Sequence, residues 1–294
     1  MKRRIFLIKT GTGMALMGAG AFPFRAMAAS GERTKLTILH TNDLHGHLGA
    51  GSLLPSMVEE IRREEAHVLL FDAGDFMGSG TEEEKRQAVE RMNAQGYDAV
   101  ILGNQEIEWG LETLSQQFKH VNFDVISSNY PLNSMPLGDW RTPFSVLKRG
   151  GITVGVFGLG ADVNSLEYPA LDSESAPGGP IATANAYAAW LREQEQCDLV
   201  ICLSQLGFQY AGARLSDTVL AEKSRGIDLI LGGGTHTFLE APVVMKNADN
   251  QDVAIHHAGC DGLLLGRVDV YVEENKGRQW AASSGVQGAA ARLA

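Results

Sequence analysis

Three short stretches carry the residue types that hydrolytic chemistry needs: Asn42-Asp43-Leu44-His45-Gly46-His47, Asp72-Ala73-Gly74-Asp75 and Gly233-Gly234-Thr235-His236. Each follows an apolar run of strand length. Asp-x-His, Gly-Asp and a later histidine offer oxygen and imidazole donors of the kind that hold Zn, Mn or Fe and turn a bound water into a nucleophile. Two further stretches stand at comparable places, Gly103-Asn104-Gln105-Glu106 with Glu108 beyond it, and Ser204-Gln205-Leu206-Gly207. One aspartate after a strand is commonly a turn or cap residue. Polar residues at five successive strand ends predict a site where those ends converge.

The elements that must position them are legible. KLTILH (35–40), VLLFDAG (68–74), DAVILGN (98–104), DLVICLS (198–204) and DLILGGG (228–234) have the length and composition of buried strands. Helices are expected between them. Thr81 and Glu84 form a capping box that starts a helix through Ala88, Val89 and Met92, stopped at Gly96. SMVEEIRREE (56–65) and the stretch from Pro180 through ANAYAAWLREQEQ are two more. TPFSVLKRGGITVGVFGLG predicts a hairpin turning at Gly150-Gly151, and PVVMKN, VAIHHAG and LLLGRVDVYVE follow without helices between them. The pattern is α/β with a mixed sheet. No linker divides residues 32–275, so a single domain is expected over 29–294, fraying from about residue 276.

Composition bounds the partners. With 294 residues, 44% hydrophobic and 20% charged, the chain can bury a sizeable core. Lys2, Arg3, Arg4 and Lys9 flank an apolar stretch, and Ala26-Met27-Ala28 offers a cleavage site, so residues 1–28 read as an export leader. Arg3-Arg4 followed by Ile5-Phe6-Leu7 and Lys9 resembles a twin-arginine signal, which predicts a periplasmic or envelope location. Removing that leader takes five of 25 basic residues and none of 35 acids, leaving 20 against 35, a net charge of −15. Such a chain lacks the basic stripe that nucleic-acid binding requires. No later apolar run is long enough to span a membrane. Cys197 and Cys202 bracket an extended run too long for a disulfide, so with Cys260 they are expected as free thiols. A serine elbow of G-x-S-x-G form is absent from the sequence.

In order, ILHTNDLHGH, LLFDAGDFMGSG, ILGNQEIEWG, VICLSQLGF, DLILGGGTHTF and AGCDGLLLGRVDV cover nearly all of the chain after the leader. Together they resemble the metal-binding domain of the 5'-nucleotidase group of metallophosphoesterases. The resemblance implies a four-layer α/β/β/α sandwich with two mixed sheets. It also implies metal-dependent hydrolysis of phosphate monoesters such as nucleotides, by water set between two ions. Asp43, His45, Asp75 and His236 match the first ion's ligands, with Asp75 bridging to a second ion that takes Asn104 and residues 205 and 234. Asn104 and residue 105 would touch phosphate, and Glu108 would pair with residue 105.

Three positions depart from that pattern, because Gln105, Gln205 and Gly234 stand where the family motifs carry histidine. Glutamine at 105 keeps a hydrogen-bond donor but carries no proton, and loss of such a group costs about 10²- to 10⁴-fold in rate. Gln205 offers only a neutral carbonyl oxygen, and Gly234 offers no ligand. The expectation is one divalent ion rather than two, with impaired hydrolysis of a small phosphorylated substrate. The alternative is an inactive family member acting as a periplasmic binding or interaction protein. His47, His256 and His257 are possible substitutes for the lost ligands; adjacent strand residues face opposite sides, so at most one of His256 and His257 would reach the cleft. Packed histidines are expected there.

Overall fold

Alternate residues of a strand face opposite ways, and in the central strands both ways are apolar, which demands a cover on each face. The computed structural model describes residues 5–7, 33–49, 51–130, 141–160, 179–212, 214–273 and 280–288. Its first sheet contains β1 (Ile5–Leu7), β2 (Arg33–Thr41), β3 (Val68–Asp72), β4 (Ala99–Ile101), β5 (Asp124–Ile126), β6 (Arg141–Thr142), β13 (Leu264–Glu273) and β14 (Trp280–Gly288). Their order is β1-β14-β13-β2-β3-β4-β5-β6. The second sheet contains β7 (Phe144–Arg149), β8 (Ile152–Leu159), β9 (Leu199–Ser204), β10 (Leu229–Gly232), β11 (Val243–Lys246) and β12 (Asp252–His257), in the order β11-β12-β10-β9-β8-β7.

The two sheets bury one core between them. Ile38, Leu69, Phe71 and Ile101 of the first meet Val154, Val156, Ile201 and Leu231 of the second. Residues one step along each strand face outward to helices. Leu39, Leu70 and Val100 pack with Met57, Val58 and Ile61 of α1 (Leu54–Glu64) and Ala88 and Met92 of α2 (Glu82–Gln95). On the other side Phe157, Val200 and Ile230 pack with Ala184, Ala188 and Leu191 of the long helix Gly179–Glu193, and with Leu220 of the short helix Asp217–Lys223. Helix, sheet, sheet, helix is the layer order, with parallel and antiparallel neighbours in both sheets.

Local signals explain the element ends. Thr81 and Glu84 form both bonds of the capping box, and α2 ends at Gly96. α1 starts at Leu54, two residues before the expected stretch, because Pro55 suits a first turn. Between β7 and β8, Arg149 pairs with Ile152, so the turn holds only Gly150 (φ 56°) and Gly151 (φ 76°), the left-handed pair that a two-residue hairpin requires. Cys197 and Cys202 are buried free thiols, and Cys260 is a half-buried one.

The expected fraying from residue 276 differs from the structure. Trp280–Gly288 runs antiparallel to β13, whose row of backbone groups would otherwise be an open edge. Ile5–Leu7, from the stretch read as a leader, lies parallel to Trp280–Ala282 at that sheet's outer edge. Arg3-Arg4 and the cleavage stretch 26–28 lie outside the described residues. Among the described residues no helix is long and apolar enough to cross a membrane.

Candidate metal centre

Strands β2, β3 and β4 run parallel, so their carboxyl ends and the polar loops after them share one edge of the first sheet. The same holds in the second sheet for β8, β9, β10 and β12. Asn42 joins the two edges: its Nδ2 donates to the Gly259 carbonyl at 2.6 Å, and its Oδ1 accepts from Ala258 N at 2.9 Å. Asp43, the next residue, therefore stands at the seam.

Asp43, His45 and His236 come together there, with one ligand atom from each lying within 4.8 Å of the others. The His45 and His236 ring centroids are 5.0 Å apart, and His236 Nε2 is 3.9 Å from Asp43 Oδ1. Asp75 is almost fully buried outside that trio, tied to it through its backbone carbonyl, which accepts from His45 N at 2.9 Å. Among the described residues only seven that are not glycine have positive φ, and Asp43, His45, Asp75, His236 and Asp261 are five of them. Left-handed backbone is unfavourable for such residues and collects at functional sites. Here it turns strand-end side chains back into the cleft.

Electrostatics point to a cation. Asp72, Asp75 and Glu106 are buried at these strand ends, and burial pushes each carboxyl above its ordinary range. The charge of Asp43 adds to the rise at Asp72 and Asp75. Asn104 Oδ1, Gln105 Oε1 and Gln205 Oε1 are buried oxygens with no hydrogen-bond partner. The two imidazoles and the Asp43 carboxylate are a donor set that fits a divalent ion such as Zn, Mn or Fe, with the unpartnered oxygens of Asn104 and Gln105 buried on the loop after β4.

Several neighbours hold the ligands in place. Asp261 accepts from His45 Nδ1 at 2.8 Å, an outer carboxylate that fixes the ring and leaves Nε2 free; this bond also draws the Asp261 carboxyl below its usual range. Gln105 donates its backbone N–H to Asp75 Oδ1 at 2.8 Å. Gln205 is 2% exposed, and its Nε2, not its carbonyl oxygen, donates to Asp43 Oδ1 at 3.0 Å. Gly234 N lies 3.0 Å from each Asp43 oxygen.

The acid after Gln105 that is built into the site is Glu106, whereas Glu108 is exposed on the short helix Asn104–Glu108. Fully buried, Glu106 accepts from Asp75 N (2.9 Å), Met77 N (3.0 Å) and Gly103 N (2.8 Å), tying the loop after β4 to the loop after β3. Two of its partners are remote in sequence, and the local signal was its place three residues after Gly103, whose N–H it caps at the start of the helix. Asp261 was equally hidden, its signal being the polar Cys260-Asp261 turn after β12.

His256 and His257 both lie away from the cleft. His256 Nδ1 meets His40 Nε2 at 2.6 Å between the sheets, and His257 Nε2 meets Asp217 Oδ2 at 2.7 Å on the helix side. His47 is exposed, with its Nδ1 3.1 Å from the Leu44 carbonyl.

The same architecture recurs in known proteins. The Calcineurin-like phosphoesterase family model matches residues 36–238. This chain belongs to that family. A bovine (Bos taurus) 5'-nucleotidase is 31% identical over 82% of this chain and 47% of its own length. The trifunctional nucleotide phosphoesterase YfkN of Bacillus subtilis is 30% identical over 81% of this chain and 18% of its own length. The phosphoesterase-family chain therefore spans about half, or less, of these relatives. Among solved structures, a 5'-nucleotidase precursor from Thermus thermophilus superposes with a TM-score of 0.73 at 24% identity, over 87% of this chain and 54% of that one. The calcineurin-like phosphoesterase YfkN structure gives 0.67 at 21% identity, over 88% and 92%. The chain is 5'-nucleotidase-like in sequence and a two-sheet metallophosphoesterase in fold.

Proposed function

We propose that this chain is an exported metal-dependent phosphoesterase that hydrolyses small phosphate monoesters, nucleotides among them, with one divalent ion and at a reduced rate. The observation that carries the reading is the convergence of Asp43, His45 and His236 in left-handed turns at the seam of the sheets, with the left-handed turn of Asp75 hydrogen-bonded to His45 through the backbone. Asp43, His45, Asp75 and His236 would hold the ion. A divalent ion there supplies an acidified water and neutralises charge leaving with the phosphoryl group.

The chain's own residues then set the limits of the reaction. The Asn104 and Gln105 side chains, in the first turn of the short helix fixed by Glu106, would hydrogen-bond phosphate oxygens. Gln105 stays neutral at any pH, so it orients phosphate without donating a proton to the leaving oxygen. The leaving group must take its proton from water, which favours esters with acidic leaving groups. Aryl phosphates should therefore be cleaved faster than 5'-AMP.

The test is phosphate release from an aryl phosphate and from 5'-AMP by the mature protein with added Mn or Zn, with Asp75→Asn as background. Release above background, faster for the aryl ester, is expected. Release equal to background from folded protein sinks the hydrolase reading. The second reading, a fold kept for binding without turnover, draws on the Gln205 amide that lies against Asp43. Export is checked separately by replacing Arg3 and Arg4 with lysine, which should leave precursor in the cytoplasm.

A further inference from the structure

We propose that Asp217, buried on the helix side of the second sheet, is a positioning residue for the candidate ligand His236, an inference that rests on the metal-centre reading above.

The His236 ring is half exposed, so the loop beneath it, and not packing around the ring, must hold it in the centre. His236 has φ of +51°, and the hydroxyls of Thr235 and Thr237 on either side of it meet at 2.9 Å. Three outside bonds pin this loop. Phe208 N donates to Thr235 Oγ1 at 2.9 Å, Gly233 N to the Ser204 carbonyl at 2.8 Å, and Leu239 N to the His257 carbonyl at 3.2 Å.

The residues at the far ends of those bonds share one partner. Asp217 Oδ1 accepts from the Ser204 hydroxyl, and its Oδ2 meets His257 Nε2 at 2.7 Å. Its backbone N–H donates to the Gly207 carbonyl at 2.8 Å, and that of Thr218 to the Phe208 carbonyl at 3.2 Å. Asp217, Ser204 and His257 are fully buried, where water does not compete for these bonds. The end of β9, the loop after it and the end of β12 are thus tied to one residue, and each of them grips a different point of the His236 loop. Only a carboxylate serves both side chains. Ser204 and His257 each present a donor to it, whereas an asparagine has a single acceptor oxygen. Moving the His257 proton to Nδ1 gives no escape, because Nδ1 is buried without a partner.

The experiment compares the full chain with Asp217→Asn, Thr235→Val and the double variant, by Mn calorimetry and by amide hydrogen exchange in chelator. Asp217→Asn should weaken Mn binding about 10-fold, as loss of an outer-shell partner does. Thr235→Val, which removes the acceptor for Phe208 N, should weaken it too. Both act through the His236 loop, so the double variant should fall well short of the product of the two losses. Exchange in Asp217→Asn should quicken at Phe208, Gly233 and Leu239 and stay unchanged at Leu70 in the first sheet. An Asp217→Asn protein with a lowered melting temperature and wild-type Mn affinity overturns the proposal, since that is what a role in stability alone would give. Losses that multiply in the double variant overturn it as well. If Asp217→Asn does not fold, Ser204→Ala, which removes one of the two side-chain bonds, takes its place in the same cycle. A wild type that takes up no Mn sinks the metal reading; exchange then decides, and unchanged rates at those three amides overturn this inference separately.

Discussion

Glu106 touches no candidate ligand atom by its position in sequence, yet replacing it should unmake the cleft floor. Its two oxygens take three backbone N–H groups, from Asp75, Met77 and Gly103, and its side chain is fully buried. In Glu106→Gln the amide oxygen can still serve Asp75 and Gly103, which share Oε2, while the amide nitrogen faces the Met77 N–H, donor to donor. One buried charge-assisted bond is lost, at a cost of about 2 kcal/mol. Glu106→Ala leaves three buried donors without an acceptor. At about 1–3 kcal/mol each, partly offset by relief of repulsion from Asp75, the cost is about 4 kcal/mol. That is a large share of the 5–15 kcal/mol typical of a folded protein, roughly speaking. The assay is guanidinium unfolding in chelator, with hydrogen exchange at the amides of residues 75, 77 and 103. The expected order is wild type, then Gln, then Ala, with faster exchange at those three amides. A Glu106→Ala protein within about 1 kcal/mol of wild type, with those amides still protected, would refute the assignment.

Three further expectations follow from the site and its surroundings. Asp261→Gly suits the left-handed backbone at that position and removes the carboxylate on His45, so Mn affinity should weaken about 10- to 100-fold with the melting temperature unchanged; unchanged affinity would show that the bond orients nothing. Gly103→Ala places a methyl group against the Asp75 carboxylate and backbone nitrogen, and should cost about 1–3 kcal/mol in thermal unfolding and lower Mn uptake; a neutral result would mean the two loops are slack. His256 is held down to about 4 by burial, with the charge of His257 adding, against about 6.5 in the unfolded chain. Its contribution is therefore full above pH 6.5 and is lost as pH falls towards 4, by about 3 kcal/mol. Urea unfolding of wild type relative to His256→Leu should show that decline, and a flat difference between pH 7 and pH 4 would contradict it.

What the sequence made legible depended on whether the cause was local. Strand runs such as KLTILH, the capping box at Thr81 and the Gly150-Gly151 turn are local, and they stand in the structure where their residues put them. Asp43, His45 and His236 come together because each stands in the loop after a strand, and the strands' shared direction does the rest. Gln205 shows the limit. Its type and place suggested an oxygen for a metal, but which end of an amide faces the cleft is decided by Asp43, 162 residues away in sequence. Glu106 and Glu108 are two acids on one short helix, and only the fold of the loop after β3 decides which is buried. His256 and His257 followed the alternation rule, but both sides of β12 are covered, one by the first sheet and one by a helix.

The seam at Asn42 and Asp43 has a thermodynamic meaning beyond ligand placement. These two residues hang from the first sheet, while Gly234, Gln205, Ala258 and Gly259 reach them from the second. His45 stands on one side of the seam and His236 on the other. An ion gripped there would be a rivet between layers whose shared face is mainly apolar, with the His40–His256 contact inside it. Its binding free energy is available only while both sheets are in register, so it raises the cost of separating them and leaves the cost of fraying either outer helix layer untouched. Metal supply would then govern how cooperatively the sandwich comes apart, in addition to whether the cleft turns over.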